Sequence, residues 1–155
     1  MVKKIEISNL RKNENKILMI SVLAPTGRYI LQPSLMEMHN ESTEWLSVSQ
    51  LWKRELAFFE KLLVQYAPKF ESQEDKKKIG HFESLITYYQ GELVDQLRKK
   101  VRDHEGHLAR MLQELNESDT EYFKEHKGIM EELKSFEKNF SELKSELFAF
   151  IENGM

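Results

Sequence analysis

Residues 79–115 read IGHFESLITYYQGELVDQLRKKVRDHEGHLARMLQEL. Apolar or aromatic side chains recur there at Ile79, Phe82, Ile86, Tyr89, Leu93, Leu97, Val101, Leu108, Met111 and Leu115, and His104 fills the remaining place in the series. Steps of three and four residues put all of these on one face of a helix. The successive steps of four through Leu93, Leu97 and Val101 insert a stutter, which locally relaxes a supercoil. At 1.5 Å per residue the whole helix, over about 73–115, is about 60 Å long, so it needs apolar partners along most of its length.

The flanking sequence supplies them. Downstream, Asn116 to Ser118 form a short connection, and Ser118-Asp119-Thr120-Glu121 is a capping box that starts another helix. Its stripe is Tyr122, His126, Ile129, Leu133, Phe136, Phe140, Leu143 and Leu147, until Gly154 permits the end. Upstream, Ser72-Gln73-Glu74-Asp75 is a capping box with Asp in place of Glu, and Pro68 closes an earlier helix. That earlier helix carries Trp45, Val48, Trp52, Leu56, Phe59, Leu63 and Tyr66, with Asn40 as its expected N-cap and Glu41 and Glu44 in its first turn. Short connections return consecutive helices antiparallel. The expectation is an all-α fold: three long antiparallel helices, up-down-up, over about 41–67, 73–115 and 119–153, forming one domain over 39–155. A second flank on the first helix, Leu51, Phe58 and Leu62, exceeds what two neighbours cover and predicts self-association or another helical protein as partner.

Residues 1–38 have a different texture, with Pro25, Gly27 and Pro33 among short apolar stretches. They read as an N-terminal appendage, a β-hairpin or a strap over the helices. The run Ile17 to Ala24 is far short of the roughly 20 residues that span a bilayer. Followed by Ala24-Pro25-Thr26-Gly27, it reads as a hairpin strand rather than a signal peptide, so a cytoplasmic location is expected. A net charge of −3 over 155 residues offers no general attraction to nucleic acid or anionic lipid. Lys76-Lys77-Lys78 and Arg98-Lys99-Lys100 sit among Glu74, Asp75, Glu83, Asp95 and Asp103, as on a solvated face. With no cysteine, disulfides, thiolate metal sites and thiol nucleophiles are excluded.

His104 and His126 stand where the repeat asks for Leu or Ile. Folding about the connection near Glu117 sets them within about one helical turn of each other, facing inward. Folding the first helix back brings His39, Glu41 and Glu44 to the same end, with Glu105 and His107 flanking the seam. His39, His104 and His126, with Glu41, Glu44 or His107 completing the shell, have the donor types of a site for a first-row ion such as Fe, Zn or Mn. The alternative is a buried histidine pair hydrogen-bonded to Glu125 or to an N-terminal carbonyl, with no metal and no reaction. No His-x-x-x-His or His-Glu-x-x-His spacing is present, nor a phosphate-cradling glycine loop, a nucleophile elbow or a catalytic triad.

His39-Asn40-Glu41-Ser42-Thr43-Glu44-Trp45, Leu51-Trp52-Lys53-Arg54-Glu55-Leu56, Glu92-Leu93 and Asp103-His104-Glu105 together resemble small bacterial helical proteins with no assigned activity. The resemblance covers roughly residues 39–150 and implies a helical bundle and no reaction. Hemerythrin-like bundles are similar in their histidine-rich interior, but their paired histidine spacings do not occur here. On this reading the chain is a non-enzymatic helical scaffold or interaction module, and a metal-binding bundle is the alternative.

Overall fold

Pro33 opens the first helix of the computed structural model, which describes residues 33–114 and 120–155. Helix α1 is Pro33–Tyr66. The expected start at Asn40 is therefore corrected: Asn40 lies well inside the helix. Proline in a first helical turn suits its fixed φ and missing N–H, so Pro33 and the residues to Met38 belong to the helix and not to the expected appendage. The rest of the appendage, the Ile17 to Ala24 hairpin strand and the Ser118 cap lie outside the described residues.

α1 ends at Tyr66 and tightens into a 3-10 turn, Ala67–Lys69, where Pro68 cannot extend an α-helix. The Phe70 N–H closes that turn on the Ala67 carbonyl at 3.1 Å. Ser72 then caps α2, Gln73–Tyr88, its Oγ accepting from the Asp75 N–H at 3.1 Å. A five-residue π-helical turn, Tyr89–Leu93, joins α2 to α3, Val94–Gln113. α4 is Thr120–Glu152. Every element among the described residues is helical, and none of these helices is long and apolar enough to cross a membrane.

The π-turn corrects the stripe. The Val94 N–H bonds to the Tyr89 carbonyl, five residues back, so one extra residue is absorbed and the buried series steps from Tyr89 to Val94. Leu93 is half-exposed, whereas Val94 is fully buried. The irregularity lies just before the stretch read as a stutter, since from Val94 the buried steps to Leu97 and Val101 are an ordinary three and four. The sequence pattern assigns the wrong side chain to the core, because a π-turn moves the face by a full residue.

The chain divides into two compact units. The second, residues 47–99 with 130–155, has an aromatic and aliphatic interior. Trp52, Leu56, Phe59 and Leu63 of α1 are buried there, as are Ile79, Phe82, Ile86 and Leu97 and, from α4, Leu133, Phe136, Phe140, Leu143 and Leu147. Trp52 packs on Phe136 at 4.6 Å between ring centroids, Tyr89 on Phe136 at 5.3 Å, and Phe70 stacks on Phe150 at 4.2 Å. Ser49 is the buried polar side chain of this unit, satisfied by the Arg98 guanidinium at 2.6 Å. The expected second flank is present on α1: Leu51 is 53% exposed, Phe58 is 56% exposed, and Leu62 is half-buried. Lys76, Lys77 and Lys78 are solvated, as expected of a mixed-charge face.

The first unit takes residues 33–46 from α1 and, from the rest of the chain, the described residues of 100–129. Its apolar cluster is Leu35, Leu108, Met111, Leu112 and Tyr122, with Met36, Met38, Ala109 and Phe123 against it. Next to these hydrophobic residues in the sequence pattern, five polar side chains are buried: His39, Ser42, His104, Glu105 and His126.

Candidate metal centre

Three helical faces meet in the first unit. From α1 come Leu35, His39 and Ser42, four and three residues apart and all fully buried. From α3 come Val101, His104, Glu105 and Leu108, and from α4 Tyr122, His126 and Ile129. The two seam histidines meet as their spacing predicts: His104 Nε2 lies 2.9 Å from His126 Nδ1.

Each of these imidazoles has a carboxylate on its other nitrogen. The His104 Nδ1–H donates to Glu125 Oε1 at 2.5 Å, and the His126 Nε2–H donates to Glu41 Oε1 at 2.9 Å. The result is a line of four groups, Glu125, His104, His126 and Glu41, crossing α4, α3, α4 again and α1. Three contacts along that line need three protons, or two protons and another cation. With both carboxylates ionised and each accepting an N–H, the two nitrogens that face each other both present lone pairs. At 2.9 Å that is repulsive unless a proton or a metal ion lies between them. A proton is disfavoured at His104: burial lowers its pKa, and the neighbouring Glu125 offsets this only in part.

Aromatic rings hold the pair in place. Tyr122 stacks on His104 with centroids 4.2 Å apart and planes 6° from parallel, and Trp45 stacks on His126 at 4.6 Å. Burial, together with Glu105, Glu125 and Glu41, pushes the Tyr122 phenol far above its ordinary range, so it stays protonated. Two walls of the pair are thus neutral ring faces.

A second pair lies between α1 and α3. The His39 Nδ1–H donates to Glu105 Oε2 at 2.9 Å, with both side chains at most 5% exposed. The other carboxylate oxygen, Glu105 Oε1, and the Ser42 hydroxyl are buried and find no hydrogen-bond partner among the described residues. A buried polar group in that condition is expensive, and more so if charged.

The expected ligand set is thereby sorted. His104 and His126 are in contact, Glu41 backs His126, and His39 belongs to the Glu105 pair. His107 stands half-buried at the rim, 3.4 Å from Glu125, and Glu44 is exposed to solvent. Among the described residues, no three His, Asp or Glu side chains are grouped so as to hold a metal ion as they stand. Glu125 was expected only as a hydrogen-bond partner for a histidine pair and fills that place for His104. Two contributions had no signal of their own. Ser42 is a small polar residue on a long helix, and the placing of Trp45 against His126 depends on how α1 and α4 meet.

Compared with protein-family models, curated proteins and solved structures, the chain matches none.

Proposed function

We propose that this chain is a metal-binding helical protein that holds a first-row transition ion between His104 and His126. The observation that carries this reading is the pair of facing ring nitrogens, 2.9 Å apart, with the far nitrogen of each ring held by a carboxylate. Metal-bound histidines almost always donate their other N–H to a carboxylate or carbonyl, which fixes the tautomer and raises ligand basicity. Glu125 and Glu41 are suited to that part. With the far nitrogen of each ring donating to its carboxylate, the two near nitrogens are left to share one cation. The reading takes the helices as an up-down-up antiparallel bundle, with the two ligand histidines on α3 and α4 and Glu41 of α1 behind one of them.

The test is elemental analysis of the purified, untagged full chain after loading with Fe(II), Mn(II) or Zn(II) and exhaustive dialysis. One ion per chain is expected, lost in His104→Ala and in His126→Ala while the helical circular dichroism persists. A wild-type chain that retains no ion refutes the proposal.

The exposure of Leu51 and Phe58 favours a second reading, an interaction module of the cytoplasm that associates with itself or another helical protein through that face of α1. Light scattering across a concentration series tests self-association. A mass above one chain that returns to a monomer in Leu51→Lys, Phe58→Glu supports it, and a monomer throughout leaves only a different partner.

A further inference from the structure

Resting on the second reading, that of an interaction module, we infer that α1 and α4 form in the second unit a docking furrow for an acidic amphipathic helix of another protein. The occupant follows from the shape of the furrow, its repeat and its charge.

Phe59 is 2% exposed, and two exposed rings stand beside it from different helices. Phe58 of α1, 56% exposed, lies 6.1 Å away between ring centroids, and Phe148 of α4, 41% exposed, lies 5.4 Å away. A buried ring between two exposed ones is a recess that accepts a large apolar side chain. Leu51, 53% exposed, comes seven residues before Phe58 on the same side of α1, and half-buried Leu62 comes four residues after it. From Leu51 to Leu62 these apolar points span about 16 Å, three turns of a helix. Contiguous apolar surface of this kind marks a contact site, and points at helical spacing along a groove are what an amphipathic helix engages.

Charge selects among such helices. The outward strip of α1 runs Ser47, Leu51, Arg54, Phe58, Lys61 and Gln65, all exposed, at alternating steps of four and three. It carries two cations and no acid, in a chain whose net charge is −3. Neither Arg54 nor Lys61 has an ion-pair partner among the described residues. Glu55, the acid beside the strip, is already engaged: the Lys144 ammonium of α4 donates to its Oε2 at 3.2 Å and sits 4.8 Å over the Phe140 ring. Two unpaired cations flanking apolar points favour carboxylates along the edge of an incoming helix and disfavour lysines there. Two copies paired strip to strip would set these cations against each other, which disfavours a second copy as the occupant.

The experiment titrates the full chain into a fluorescent helical peptide of about 18 residues, with leucine at every third and fourth place and glutamate beside it, and into the same peptide with lysine for glutamate. Wild type is expected to bind the acidic peptide about tenfold more tightly than the basic one. Arg54→Glu, Lys61→Glu should reverse that order, and Leu51→Ser, Phe58→Ser should weaken the acidic peptide about 100-fold, all with unchanged circular dichroism. Equal binding of the two peptides, or binding of neither, overturns the inference. So does a preference for vesicles of equimolar phosphatidylcholine and phosphatidylserine, which assigns the face to a membrane. Light scattering separates this inference from the reading beneath it. A dimer that Leu51→Ser, Phe58→Ser dissociates gives the face to a second copy, overturning the inference and leaving the interaction module standing. A monomer whose Leu51→Cys thiol, the only one in the chain, is protected from a maleimide has the face covered by its own chain, and overturns both.

Discussion

Replacing Glu125 with Gln tests whether the carboxylate behind His104 tunes a metal ligand or only packs against a ring. Gln keeps the size of the side chain and can still accept from the His104 Nδ1–H, but it removes the charge that favours a basic imidazole. Outer carboxylates of this kind typically contribute 10- to 100-fold in metal affinity. Glu125 is 45% exposed in its side chain, so water screens it and the expected loss falls at the low end, about tenfold or about 1.4 kcal/mol. Glu41, 37% exposed behind His126, is expected to behave alike, and Glu41→Gln with Glu125→Gln to approach the product of the two. The readout is Trp45 emission, since that ring stacks on His126 at 4.6 Å and reports an ion on the imidazole beneath it; Trp52→Phe removes the second tryptophan. Titration with Zn(II) or Mn(II) then gives each affinity. Losses under about twofold in both single variants would refute the claim that these carboxylates act through the histidines, whatever the ion.

Other consequences follow from the same structure. Because burial lowers the His104 pKa, the unfolded chain takes up a proton at that residue between the native value and about 6.5, while the folded chain does not. Stability of the metal-free protein should therefore fall as pH is lowered through that window, and His104→Gln should flatten the dependence in thermal melts at pH 7.5 and 5.5. In the second unit, Phe140 is 1% exposed and touches Trp52, Phe59 and Phe136, so Phe140→Ala should cost about 3–5 kcal/mol in urea unfolding. Deleting Gln90 from the π-turn shortens the step from Tyr89 to Val94 to four residues and should leave cooperative melting intact. Deleting Glu83 turns Ile79 and Phe82 off the buried face and should abolish it.

The helices were legible because their evidence is repeated many times: Leu56, Phe59 and Leu63, or Phe136, Phe140 and Leu143, each fix the same face, and one discordant residue does not shift it. Where a single residue decides, the reading failed. Pro33 reads equally as a break or as a first helical position, and only the buried Leu35 and His39 beyond it show which. Leu93 and Val94 are both apolar, so periodicity alone could not tell that a π-turn passes the buried place from one to the other. The meeting of His104 and His126 was legible for a better reason: a polar residue in an apolar stripe must find a polar partner, and two such residues at matching depth find each other. The role of Glu105 was not, since whether a carboxylate beside a seam is solvated or buried depends on how closely α1 approaches α3.

The contrast between the two units bears on why such a network is there at all. The second unit fills its interior with rings and aliphatic chains and buries one polar side chain, which is satisfied. The first gives five buried positions to His39, Ser42, His104, Glu105 and His126, where a complete set of well-packed apolar side chains would often be as stable or more so. Hydrogen bonds recover part of that loss along the line from Glu125 to Glu41 and between His39 and Glu105. They leave a carboxylate oxygen and a hydroxyl unsatisfied among the described residues, and two imidazole nitrogens face to face. A purely structural network stabilises the fold by being complete, and this one needs one further cation, a proton or a metal ion, where the two ring nitrogens meet. On the metal-binding reading, one cation there would remove the nitrogen–nitrogen repulsion. The first unit should therefore gain stability from an ion far more than the second, a difference that hydrogen exchange with and without Mn(II) resolves helix by helix.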